Sequence, residues 1–279
     1  MPELPEVETI RQRLLRGFCD NPSLIDQSIR QVSLLWSGSL ATPDPLTFTN
    51  FLPGQKVVSV ERRAKFIYLV LSDAFLVFHL RMSGDLYLLP TRADGKEPAR
   101  NKIHDRLWID FESGWRLVFN DVRKFGRIWL LNDLNDLFSN LGPEPLDASL
   151  TNKKFQTMLK QKSRLLKPLL LDQSFIAGIG NIYSDEALFM AGLHPLRKSD
   201  SLTQNEAKRL LEAIRTVLSK GIDQKGASID WVYRGGDFQN HFQVYQQTGN
   251  PCPKCGRPIE KIRVGQRGTH LCPRCQKLT

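Results

Sequence analysis

Apolar and polar positions follow three successive periods along the chain. After Pro5, the residues Val7, Ile10, Leu14, Leu15 and Phe18 recur at helical spacing, which predicts a first helix with one buried face. From Ile29 to about Leu131 the period shortens to two. The segments "KVVSV", "KFIYLVL", "FLVFHL", "LWIDF" and "WRLVF" are short, β-branched or aromatic, and mostly alternating, and "ESGW" between the last two reads as a hairpin turn. This texture predicts a β-rich domain, either a sandwich or a flattened barrel. "LGPEPLDASL" (141–150) has the composition of a linker. Helical spacing then returns in "KKFQTMLKQKSRLLKPLLL", "NIYSDEALFMAGL" and "TQNEAKRLLEAIRTVLSKGI", with one helix expected to end near Ala177. From about Phe242 the pattern is strand-like again and carries paired cysteines. There is no internal repeat and no low-complexity tract. The expected division is a domain over 1–140, a linker over 141–150, a helical domain over 151–241 and a terminal module over 242–279.

Charge adds a partner to this picture. The chain has 39 Lys and Arg against 29 Asp and Glu, a net charge of +10, which suits a polyanionic partner as well as plain solubility. The excess is uneven. Residues 151–170 contain Lys153, Lys154, Lys160, Lys162, Arg164 and Lys167 and no acid, and the last thirty contain seven Lys and Arg with Glu260 as the only acid. One such run can be a solvated face; two in the same half favour a phosphate-binding surface. No apolar run approaches a membrane span, and the acidic start has no apolar core of a signal peptide. A cytoplasmic location without a membrane partner is expected.

The cysteines have metal spacing. "CPKC" (252–255) and "CPRC" (272–275) are sixteen residues apart, so Cys252, Cys255, Cys272 and Cys275 can close a tetrahedron around one structural zinc. Two disulfides are the competing arrangement, disfavoured in a reducing compartment. Cys19 is expected as a buried thiol on the apolar side of the first helix, and His270 is surplus to the metal. Between the pairs, two strands around "GQRG" form a hairpin with Arg267 at its tip, where it can press on phosphate.

Two further segments carry chemistry. "GIGN" (178–181) opens a helix whose glycines and unpaired N–H groups suit an anion, with Asn181 as the expected cap and a donor to phosphate. A plain helix–turn–helix corner reads the same way. The start, "MPELPEVE", is acidic and stiffened by proline in a basic chain. Removal of Met1 leaves Pro2 as a terminal secondary amine. Such amines titrate at about 7.7–8.0 and lysine at about 10.4, so roughly a tenth of the former is unprotonated at pH 7. That makes Pro2 a natural Schiff-base nucleophile, with Glu3 and Glu6 placed for proton transfer. Glutamates that only favour a helix dipole are the alternative.

The segments "PELPEVETI", "RRAKF", "HLRMSG", "DVRKFG", "LGPEP", "AGIGNIYSDEALFMAGLHP", "QVY" and "PCPKCGRPIEKI…QRGTHLCPRCQ" resemble formamidopyrimidine-DNA glycosylase, in order and over nearly the whole chain. The resemblance implies an α+β fold: an N-terminal β-sandwich with an N-terminal helix, a helix-two-turn-helix centre and a C-terminal zinc-finger hairpin. It implies a monomeric bifunctional glycosylase and AP lyase of base-excision repair. This enzyme would act on damaged double-stranded DNA at the bacterial nucleoid, excise 8-oxoguanine and formamidopyrimidines, and cleave the strand by β,δ-elimination. Carried over position by position, Pro2 is the nucleophile, Glu3 the general acid/base, and Glu6 steadies the opened sugar. Lys65 contacts phosphate and assists β-elimination. Arg267 matches the residue of δ-elimination; an arginine stays protonated, so stabilising transition-state charge is the role that suits it. DNA contacts fall on His79, His104, Arg123, Lys162, Asn181, Tyr245 and Lys261. Met82, Arg123 and Phe125 match a wedge that fills the space of an extruded base; by pattern alone, Met82 and Phe125 also read as core.

Three departures accompany the resemblance: an insertion, "FCDNPSLID"; Val122 where proline is common; and "GASIDWVYRGGDFQNHF" (226–242), shorter than the family's usual lesion-capping loop, which leaves the choice among oxidised purines open. Endonuclease VIII, the sister family acting on oxidised pyrimidines, and a non-catalytic zinc-ribbon damage binder are the alternatives.

Overall fold

The computed structural model describes residues 1–91, 102–228 and 235–278. The chain forms two compact units. One holds Met1–Pro2 and Glu6–Ser139; the other holds Glu3–Pro5, Asn140–Ala227 and residues 235–278.

The first unit is built on strands whose alternation buries one face. In chain order its elements are α1 (Leu4–Arg16), β1 (Ile29–Leu34), β2 (Leu40–Thr42), α2 (Pro45–Phe51), β3 (Val57–Arg63), β4 (Phe66–Leu71), β5 (Phe75–His79), β6 (Gly84–Pro90), β7 (Asp105–Phe111), β8 (Trp115–Asp121), β9 (Arg127–Leu131) and α3 (Asn135–Phe138). They make two separate sheets, β1-β7-β8-β6 and β2-β9-β5-β4-β3. That settles the choice between sandwich and flattened barrel in favour of the sandwich. The β4 face shows the period of two directly: Ile67, Leu69 and Leu71 are buried while Phe66, Tyr68 and Val70 are half-buried. The core gathers these with Phe78, Phe111, Phe119 and Ile128, and with Val7, Ile10 and Leu14 of α1.

α1 stops earlier than its apolar spacing predicts. Gly17 takes a left-handed φ of +78° immediately after Arg16, and Phe18 and Cys19 lie beyond the helix. Phe18 and Asn21 exchange two backbone hydrogen bonds of 3.0 Å, closing the inserted segment into a tight turn. Cys19 sits at its tip, exposed, with φ +51°. The expectation of a buried thiol on the helix face is therefore corrected: the turn carries Cys19 out to solvent.

The second unit comprises α4 (Asn152–Lys160), α5 (Leu166–Leu171), α6 (Asn181–Ala191), α7 (Gln204–Asp223), β10 (Glu260–Val264) and β11 (Arg267–Leu271). The long basic-apolar segment is two helices, because the chain leaves helical geometry between Gln161 and Leu165. The helix before "GIGN" ends at Leu171 rather than near Ala177; residues 173–178 form turns. α7 begins with a reciprocal capping box between Thr203 and Glu206. The stretch from Phe242 to Ile259 is irregular, and strand structure is confined to the β10–β11 hairpin. Its turn residues Gly265 and Gln266 have φ of +52° and +67°, the handedness that suits a two-residue hairpin.

Buried charge ties α1 to β3 of the five-stranded sheet. Glu8 accepts hydrogen bonds from Arg62 Nε at 2.8 Å, Arg11 Nη2 at 2.9 Å and Gln12 Nε2 at 2.9 Å. Burial works to raise the Glu8 pKa, and these donors outweigh it, so the carboxyl is held below its ordinary value. A depressed folded pKa contributes stability above the unfolded pKa and loses it as pH falls through the folded one. Glu8→Gln should therefore flatten the loss of stability as pH falls below about 5, and leave the slope between pH 7 and about pH 5 unchanged, measured by urea unfolding at several pH values; an unchanged slope below about pH 5 would reject this account.

Candidate active site

The head of α6 is an anion site, and the chain supplies its own anion. Glu3 Oε2 accepts from Gly180 N at 2.7 Å and Tyr183 N at 3.4 Å, and Oε1 accepts from Ile182 N at 2.9 Å. The glycines make this approach possible. A β-carbon on Gly180 would stand 2.3 Å from Glu3 Cδ, and one on Gly178, whose φ is +93°, would stand 2.6 Å from Leu4 Cδ1. Leu4 N donates to Gly178 O at 3.0 Å and completes the seat. The N–H groups expected to await a phosphate are thus occupied by Glu3. Gly180 is the cap, and Asn181 is the first helical residue. The Asn181 amide donates to Gly268 O of the hairpin at 3.1 Å.

Below this seat lies a charge cluster that spacing alone did not reveal. Lys167, counted above with a basic surface run, is fully buried. Its Nζ donates to Asp185 Oδ1 at 2.5 Å, Ser184 Oγ at 2.7 Å and Asn181 O at 2.9 Å. Burial pulls its pKa below the ordinary lysine value, with Asp185 opposing. Asp185 Oδ2 accepts from His270 N at 2.9 Å and lies 3.1 Å from His270 Nδ1, joining α6 to β11. Glu186, next along, accepts from the backbone N–H groups of Gln243, Val244 and Tyr245 at 2.8–3.2 Å. Burial pushes its pKa up against those three donors. A lysine between leucines in "LLKPLLL" and two acids inside the apolar "NIYSDEALF" were the available signals.

In the first unit, two loops meet on Asp121. This fully buried carboxylate accepts from Ser83 Oγ, from Arg123 N at 3.2 Å and from Gly126 N at 2.7 Å. It thereby fixes the segment with Met82 beside the one with Arg123 and Phe125. Phe125 is 50% exposed and its ring stands 4.9 Å from the Arg123 guanidinium; Met82 is half-buried. The core reading of Phe125 is excluded. Lys65 lies in the turn between β3 and β4 and is buried, not an exposed strand-start lysine. His79 is buried too. Its Nδ1 accepts Arg81 N at 3.0 Å, and burial, with Arg81 and Lys65 nearby, pulls its pKa down to about 3. The ring is neutral at pH 7 and carries its proton on Nε2.

The four cysteines form a tetrahedral donor set. All four Sγ atoms lie within 4.8 Å of one another, with Cys252–Cys275 at 3.8 Å and Cys255–Cys272 at 3.5 Å. A zinc–sulfur bond of about 2.3 Å implies sulfur–sulfur edges of about 3.8 Å, whereas a disulfide needs about 2.05 Å. Lys254 N and Cys275 N each donate to a knuckle sulfur at 3.4 Å. Burial and the neighbouring thiols push Cys275 up to about 12, whereas a backbone N–H from Arg257 brings Cys255 down to about 7; a bound cation would hold all four as thiolates. Lys254 Nζ also donates to Phe189 O and Met190 O at 3.3 Å, closing the far end of α6.

The family model for the Formamidopyrimidine-DNA glycosylase N-terminal domain matches residues 1–128, that for its H2TH domain matches 141–232, and a zinc finger found in FPG and IleRS matches 249–278. The chain belongs to the formamidopyrimidine-DNA glycosylase family. The family enzyme of Protochlamydia amoebophila is 43% identical over 286 residues, covering 99% of this chain and all of the relative. That of Heliobacterium modesticaldum is 43% identical over 287 residues with the same coverage. Among solved structures, Lactococcus lactis Fpg (MutM) bound to DNA containing N7-benzyl-Fapy-dG superposes with a TM-score of 0.89 at 35% identity, covering 99% of this chain and all of the other.

As a formamidopyrimidine-DNA glycosylase, the chain is a DNA-repair enzyme with a sandwich, an H2TH domain and a zinc finger. The second unit brings Glu3, Asn181, Tyr245, Lys261, Arg267 and the four cysteines onto α6 and the elements packed against it. Tyr245 follows the loop held by Glu186, and its ring meets His270 edge-on at 5.0 Å. Lys261 and Arg267 are exposed on the hairpin, and Lys162 is exposed after α4. The first unit holds Pro2 and Glu6, both buried, with Lys65, His79, Met82, half-buried His104, Arg123 and Phe125. Residues 229–234 of the expected lesion-capping loop lie outside the described residues.

No helix among the described residues is long and apolar enough to cross a membrane. Cys272→Ser should lower bound zinc from one equivalent to near zero and weaken DNA binding in parallel, by metal analysis and titration of the same sample. Full activity in metal-free protein would exclude the structural zinc.

Proposed function

We propose that this family member excises oxidised purines from double-stranded DNA through Pro2 and then cleaves the strand. The observation that carries the reading is Glu3: it follows Pro2 directly, and its carboxylate is fixed by three backbone donors of 2.7–3.4 Å. An acid so held beside a terminal secondary amine is equipped for proton transfer at the carbon under attack. Loss of Met1 exposes the amine. Its nitrogen bonds to C1′ as the glycosidic bond breaks, and the base leaves with the bonding pair and takes up a proton. Glu3 takes the proton shed by the Pro2 nitrogen and passes it to O4′ as the sugar opens, which leaves an iminium at C1′. Removal of a C2′ proton then allows β-elimination of the 3′ phosphate, and a second elimination releases the 5′ phosphate. Glu6 would steady the opened sugar, Lys65 contact phosphate, and Arg267 offset charge in the second elimination.

The choice of oxidised purines is supported by relatives solved with DNA containing FAPY-dG and carbocyclic 8-oxo-G. DNA contacts would come from His79 through Nε2–H, and from His104, Arg123, Lys162, Asn181, Tyr245 and Lys261. The enzyme would act as a monomer, in the cytoplasm at the nucleoid. Borohydride should trap one covalent adduct on abasic duplex, and peptide mapping should place it on Pro2; an adduct on Lys65 would overturn the assignment. Phe125 is the exposed member of the proposed wedge. Phe125→Ala should slow excision of a paired lesion about tenfold or more, since unstacking costs a few kcal/mol. It should slow scission at an abasic site much less, with melting temperature nearly unchanged. Equal losses on both substrates would remove the wedge role.

A further inference from the structure

Five of the eleven large apolar side chains exposed among the described residues are Leu35, Trp36, Ile103, Val122 and Phe125. The backbones of Leu35, Trp36 and Ile103, and that of Asp121 just before Val122, bond to one buried arginine. Arg106 O accepts Leu35 N at 2.9 Å and Trp36 N at 3.2 Å, Arg106 Nε donates to Asp121 O at 2.8 Å, and Arg106 Nη1 donates to Ile103 O at 3.3 Å. An exposed apolar group of this kind marks a contact surface. Its charged members are all basic: Arg123, Lys124 and Arg127. The neighbouring acids Asp105 and Asp121 are buried and already hydrogen-bonded.

Trp36 is the fixed point of this surface. Gly38 lies so close that a β-carbon there would sit 2.7 Å from the indole Nε1. The Lys124 ammonium stands over the ring, 4.2 Å from its centre, a cation–aromatic contact that holds the side chain in place. Lys124 itself has a left-handed φ of +59° in the turn that follows β8. Trp36 is 38% exposed. Its indole N–H meets no acceptor among the described residues, whereas that of Trp108 is taken by Asp105 Oδ2 at 2.8 Å. A rigid N–H donor beside an ammonium, on a basic and apolar surface, suits a phosphate whose sugar packs on the apolar part.

We propose that Trp36 and Lys124 together bind one backbone phosphate of duplex DNA, next to the Arg123–Phe125 pair and separate from the contacts assigned above. The inference rests on the DNA-repair reading. Trp36→Phe removes the donor and keeps an aromatic ring; Lys124→Gln removes the charge. Each should weaken binding to a duplex with an abasic-site analogue about five- to tenfold, and Lys124→Gln should lower the log–log salt slope by about 0.9.

Replacing each phosphate in turn by an uncharged methylphosphonate locates the contact. One position should weaken wild-type binding and have little further effect on either variant, with melting temperatures confirming that both fold. If no position behaves this way in either variant, the site does not exist. A wild-type protein that fails to prefer the abasic duplex over an undamaged one would instead sink the repair reading on which the inference rests.

Discussion

A carboxylate resting on three backbone N–H groups is the interaction on which the rest depends. The first turn of a helix leaves its N–H groups without partners inside the helix and carries partial positive charge. In many proteins a phosphate takes that place; here residue 3 of the same chain does. The consequences run outward in order. Positions 178 and 180 must be glycine for the carboxylate and Leu4 to approach. The residue at 3 must be acidic to match the helix end. Pro2 is then joined by a single peptide bond to a side chain that cannot wander, which would preorganise the proposed nucleophile by backbone rather than by a mobile loop.

The same unit shows how buried charge is kept tolerable. Lys167 and Asp185 are both fully buried, and either one alone would be strongly destabilising. Together, with Ser184, Asn181 and His270 completing their hydrogen bonds, they form a closed polar node inside an apolar helix pair. Its use is geometric. It sets the rotation of α6 relative to β11, while Glu186 sets the loop that ends in Tyr245. Asp185 and Glu186 thus orient two different segments from α6, and Glu3 fixes a third against the head of the same helix.

Elements with strong local signals were legible in the sequence. The period of two in "KFIYLVL" marks a strand because its sheet buries one face, and the spacing of Cys252, Cys255, Cys272 and Cys275 marks a metal because two tight turns can present four sulfurs. Membership of the family followed from motifs spread over the whole length. Features set by distant partners were not legible. Lys167 looked like its five basic neighbours because its partner lies eighteen residues away on another helix. Gly180, not Asn181, caps α6 because the acceptor comes from residue 3. Cys19 left the helix because Gly17 ends it, a backbone event that apolar spacing does not record. Asp121 closes β8 at the head of a loop that has no period, and its role emerges only once Ser83, Arg123 and Gly126 are seen around it.

The seat of Glu3 also has a consequence in time. Its donors lie 177–180 residues further along the chain. A chain is made from its amino end, so Glu3 must wait for residue 183 of 279 before all of its donors exist. Closing so long a loop is a late and slow event in folding. An unfinished chain therefore carries an acid at residue 3 that is not yet seated on its helix. On the proposed chemistry, that acid would take its working place only once about two-thirds of the sequence has been made.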